Sequence, residues 1–126
     1  MYGTNFPKKR YKNTLEFLKR HVTTEESILD LGVENPFSEL LKNEGYSIIN
    51  TTGEDLDIDT SKLASDSSDV VTAFEIFEHL LSPFTVLNSI KSKKLVASIP
   101  LRLWFATAYR SKTDPRDRHF HEFESW

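Results

Sequence analysis

Apolar residues along the chain fall into two kinds of short run, and their alternation predicts an α/β domain. Between Asn13 and His21, Leu15 and Leu18 stand three residues apart beside Phe17, with basic residues gathered at the end, the pattern of a short amphipathic helix. The run Ile28, Leu29 and Leu31 within Ser27–Gly32, closed by Gly32, predicts a first strand. Pro36 suits the first turn of a helix, Phe37, Leu40 and Leu41 follow at helical spacing, and Gly45 ends the segment. Tyr46–Asn50 predicts a second strand and Gly53–Asp59 a short third one, with no room for a helix between them. Asp69–Phe74 has the composition of a buried strand. Phe77–Ile90 carries apolar residues at spacings of three and four, and Pro83 within it must either kink that helix or begin it anew. Leu95–Ile99 is the last strand, ending at Pro100.

About five strands alternating with helical patterns predict a mostly parallel sheet covered on both faces, and such sheets bind ligands at the carboxyl ends of their strands. Three segments are singled out on that ground: those after Leu31, Ile49 and Phe74.

Length and composition narrow the picture. A chain of 126 residues makes one domain, and 38% hydrophobic residues with nine Phe supply a core. The net charge of −3 and the absence of long charged blocks exclude a dedicated nucleic-acid binder. Lys8, Lys9, Arg10 and Lys12 form the one basic run; a solvated flank explains it first, an attraction for phosphate or an anionic lipid head group second. Without cysteine there are no disulfides or thiolate metal sites, and no apolar stretch approaches the ~18 residues of a membrane span. Met1–Pro7 lacks the charged-then-apolar order of a secretory signal, so a cytoplasmic location is expected.

The loop Asp30–Pro36 follows a strand and opens a helix, a place where backbone amides and the helix dipole can face a charged ligand group. Its opening, Asp30-Leu31-Gly32, resembles the start of the D-x-G-x-G-x-G motif of class I S-adenosylmethionine-dependent methyltransferases, with Glu34 and Pro36 where that motif has its later glycines. The stretch from Asp69 to Leu80, with Glu75, Glu78 and His79, followed by Ser82-Pro83-Phe84 and Ser98-Ile99-Pro100, resembles the E-x-x-E-H-L-x-x-P segment of the group that methylates small molecules.

What this resemblance implies is a Rossmann-like three-layer sandwich that binds S-adenosylmethionine and passes its methyl to a small-molecule acceptor. It assigns Asp30, Gly32 and Val33 to the cofactor's amino-acid part, and Asp55 and Leu56 to its adenine. Asn50 and Thr52 stand where the family has an acid for the ribose; Phe74 and Glu75 complete the cofactor set. Glu78 and His79 take the catalytic place, with His79 as the base, since an imidazole can accept a proton at neutral pH; capping and orienting the following helix is the structural alternative. The altered loop favours a second reading, a fold without catalysis that serves as an interaction or regulatory module. A nicotinamide-binding domain is a weaker third, because Gly32 is the one glycine of the loop.

Two C-terminal features complete the expectations. His119, His121 and Glu122 place two imidazoles and a carboxylate together, but no further cluster joins them and no metal site is assigned. Trp104, Phe105 and Tyr109 suit a helix packing on the core better than a substrate pocket. The resemblance spans Ser27 to Phe123 and implies a seven-stranded sheet whose last two strands are missing, so that a longer polypeptide or a second copy would cover the open edge.

Overall fold

The computed structural model describes residues 5–100, with side chains from Lys8 onward. Its elements in order are α1 (Asn5–His21), β1 (Ser27–Asp30), α2 (Pro36–Asn43), β2 (Ser47–Asn50), α3 (Ser61–Ser65), β3 (Val70–Phe74), α4 (Pro83–Ser89) and β4 (Lys94–Ser98). The strands form a four-stranded sheet in the order β2-β1-β3-β4, and every pairing is parallel.

Because side chains alternate along a strand, each strand feeds both faces. Ile28, Ile48 and Val70 pack on one face against Leu18 of α1, Val22 just beyond its end, and Phe37 and Leu41 of α2. Leu29, Val71 and Ala73 pack on the other against Leu63 of α3, Val86 of α4, Leu56, Phe77 and Leu80. The result is a helix–sheet–helix sandwich of Rossmann-like α/β type. Near-continuous apolar runs in β1 and β3 are what a strand buried on both faces requires.

The expected third strand and the start of the first helix need correction. Gly53–Asp59 is a turn, because its aspartates satisfy the local backbone: Asp55 Oδ1 accepts from the Asp57 amide, and the Ile58 and Asp59 amides both donate to the Asp55 carbonyl. The described sheet therefore has four strands, and the short helix α3 follows in the stretch between Asp59 and Asp69, to which the sequence assigned no element. Of the two outcomes expected at Pro83 within Phe77–Ile90, a kink or a new start, the second holds. One 3-10 turn, Phe77–His79, ends at Leu80, and Pro83 begins α4 anew. The break is held by Asp57, whose carboxylate accepts from the Leu81 and Ser82 amides at 2.9 Å each. At the other end of the chain, α1 starts eight residues before Asn13, so the basic run belongs to a helix. The segments around Trp104 and His119 lie outside the described residues.

Candidate functional site

Strand β1 leads through α2 to β2 on one side of the sheet, whereas β3 leads through α4 to β4 on the other. The loops after β1 and β3 thus leave in opposite directions and open a crevice at their carboxyl ends. A cavity of about 380 Å³ lies there, its wall contributed by Asp30–Val33 and Asn35 after β1, by Phe74–Ile76 after β3, and by Ser98 at the end of β4. Helix α1 lines it with Arg10, Tyr11 and Thr14.

Asp30 is almost wholly buried at the base of this wall. Thr72 Oγ1 donates to its Oδ1 at 2.6 Å and Asn50 Nδ2 to its Oδ2 at 2.9 Å. Burial raises the carboxyl from its ordinary 3.8 to about 6, outweighing the two hydrogen bonds, which act in the opposite direction. Asn50 Nδ2 also donates to the Gly32 carbonyl at 3.1 Å, and the Gly32 amide donates to Thr51 Oγ1 at 2.7 Å, so the end of β2 holds the first loop in place.

Gly32 has a φ of +111°, a backbone region that L residues rarely adopt. Gly32→Ala is expected to lower the unfolding free energy by about 1–3 kcal/mol in a urea titration. An unchanged midpoint would show that the loop can relax around a Cβ.

The amides near the α2 N-terminus are already engaged. Asn35 Oδ1 accepts from the Phe37 and Ser38 amides, and Ser38 Oγ accepts from the Asn35 amide, a complete capping box. The expectation that this helix end faces a charged ligand group is therefore not met at those amides. Glu34 does not line the cavity; it pairs with Lys42 of α2, which turns its charge toward an ammonium and away from the crevice. Pro36 occupies the first turn of α2, where its missing amide costs nothing.

Across the cavity, Glu75 carries a φ of 58°, unusual for a residue with a side chain. Its amide donates to the Ser98 carbonyl at 2.9 Å. Its Oε1 lies 3.7 Å from an Arg10 guanidinium nitrogen, and its Oε2 is buried with no hydrogen-bond partner among the described residues. Phe37 joins the rings around the cavity, stacked on Tyr11 at 4.9 Å and edge-on to Phe74 at 5.2 Å.

Of the residues expected to meet a cofactor, Asp30, Gly32, Val33, Phe74 and Glu75 come together in the cavity wall. Asn50 stands behind Asp30, turned inward. Thr52 donates its amide and hydroxyl to Glu54, Asp55 organises its own turn, and Leu56 is part of the core. Glu78, almost fully buried, and the half-buried His79 sit on the 3-10 turn after β3 and do not line the cavity. Arg10, Tyr11, Phe37, Thr72 and Ser98 were not expected at the site; Tyr11, Leu15, Leu18 and Val22, spaced by four, three and four, carry the signal that could have extended α1 back to the cavity.

Among the described residues no group of three or more His, Cys, Asp or Glu could hold a metal, and no helix is long and apolar enough to cross a membrane. Fold and crevice define the class as a Rossmann-like parallel α/β protein. No known protein family, no curated protein and no solved structure gives a significant match to the chain.

Proposed function

We propose that the chain binds S-adenosylmethionine in the cavity between β1 and β3 and belongs to proteins that transfer its methyl to a small-molecule acceptor. The observation carrying this reading is the convergence of Asp30, Gly32, Val33, Phe74 and Glu75, drawn from both motif-like segments, on one crevice at the switch point of the sheet. Charge agrees with it. Among the described residues the wall carries two carboxylates and one guanidinium, and the ligand carries a sulfonium in addition to its zwitterionic amino-acid end. A pyrophosphate ligand fits less well, since the Phe37 and Ser38 amides that would cradle it are taken by Asn35.

In such a site the protein's share of the chemistry is to hold donor and acceptor in line and keep water out. His79 remains the candidate base for an acceptor reaching the turn after β3, with Glu78 beside it. Isothermal titration calorimetry with S-adenosylmethionine tests the reading: one saturable site per chain is expected, and no heat of binding at millimolar ligand would overturn it.

The second reading, a fold without catalysis, draws on the inward turn of Asn50, which leaves the Asn50 amide engaged by Asp30 and Gly32 instead of directed at a ribose. Mass spectrometry of the purified chain separates the two: carried-over S-adenosylmethionine or S-adenosylhomocysteine favours the first.

A further inference from the structure

We infer that Arg10 and Glu75 form a charge-paired clamp for the zwitterionic α-amino-acid end of the ligand, in place of the loop amides that the protein itself engages. The inference rests on the proposed cofactor reading and adds to it the residues that hold this end. Three observations on opposite walls of one cavity carry it.

The first is the fate of the loop amides. Those of Leu31, Gly32, Asn35, Phe37 and Ser38 donate to Thr72 O, Thr51 Oγ1, Ser38 Oγ and Asn35 Oδ1 within the protein, so a ligand carboxylate finds none of these five. Among the described residues the cation that lines the cavity is Arg10, whose planar guanidinium suits a carboxylate.

The second is Glu75. Its backbone sits at φ 58°, a conformation of the kind that collects at ligand sites. Its buried Oε2 has no hydrogen-bond partner among the described residues, and a buried carboxylate oxygen is costly to leave so. An ammonium donor entering the cavity would satisfy it.

The third is the spacing of the two charges. At 3.7 Å, the Arg10–Glu75 contact is longer than a charge-assisted hydrogen bond. Paired charges of opposite sign present a zwitterion with a partner for each end, while Glu75 and the nearby Asp30 oppose a phosphate or any other ligand that is only anionic.

The test compares S-adenosylhomocysteine, 5′-methylthioadenosine and L-methionine by calorimetry on the intact chain, its Arg10→Gln variant and its Glu75→Gln variant. The nucleoside lacks the amino-acid end and L-methionine is little else. Wild-type protein is expected to hold S-adenosylhomocysteine more tightly than methylthioadenosine, and each substitution to reduce that preference roughly tenfold or more while leaving methylthioadenosine binding unchanged. That constancy also shows that the variants fold. If neither nucleoside binds but L-methionine does, and each variant weakens it, the clamp stands and the cofactor reading falls. If both nucleosides bind with a preference that neither variant alters, the clamp is overturned and the cofactor reading stands. Failure of all three ligands overturns both.

Discussion

Asp30→Asn is expected to remove about 3 kcal/mol of pH dependence from the stability of this protein. The native carboxyl has a pKa raised to about 6 by burial, above its ordinary 3.8. Between those values the folded state holds a proton that the unfolded state has released, so stability falls as pH rises through the window and is lowest above pH 6. The gap corresponds to about 3 kcal/mol. An asparagine can keep both neighbours, its oxygen accepting from Asn50 and its amide donating to Thr72, without a charge to bury. Urea unfolding from pH 3.5 to 7.5 should show the two proteins diverging above pH 4, with the variant gaining on the wild type until about pH 7. Parallel profiles would mean that the Asp30 carboxylate is solvated in the folded state.

Leu18→Ala is expected to cost about 2–5 kcal/mol, the range for a fully buried leucine. Leu18 is 0% exposed within the cluster that joins α1 to the sheet through Val22, Ile28 and Val70. Domains of this kind are stable by about 5–15 kcal/mol, so the loss is a large fraction of the total. One position earlier, Phe17 is 48% exposed and meets the His21 ring at 4.5 Å, and Phe17→Ala should cost well under half as much. Equal losses at the two positions would mean that α1 does not dock by this face. The consequence reaches the site, because the same helix carries Arg10 and Tyr11 to the cavity.

Much of the sheet was legible because β1 and β3 are buried on both faces and read as apolar runs, while β4, a largely exposed edge strand of the described sheet, still carries the short apolar run Leu95–Ala97. Gly53–Asp59 misled because its alternating Leu56 and Ile58 mimic a strand, although Leu56 enters the core and Ile58 is exposed beside aspartates that hold a turn. Pro83 marked a boundary correctly, but the acceptor for the two amides before it, Asp57, lies 24 and 25 residues away from them and leaves no local trace. The site divides in the same way. The segments after Leu31 and Phe74 follow from the rule that ligand sites gather at strand ends, and the resemblance added Asp30, Gly32, Phe74 and Glu75 by name. The inward turn of Asn50 depends on a buried carboxylate seeking donors, and the approach of Arg10 to Glu75 depends on how α1 crosses the sheet; both are products of tertiary packing.

Thermal unfolding with and without saturating S-adenosylmethionine tests the central proposal most directly, since a ligand selective for the folded state raises its stability by mass action. At a hundredfold excess over Kd the gain is about 2.7 kcal/mol, an upward shift in Tm on the order of 10 °C for a domain of this size. A midpoint that does not move with ligand concentration would contradict the assignment of the cavity to this cofactor.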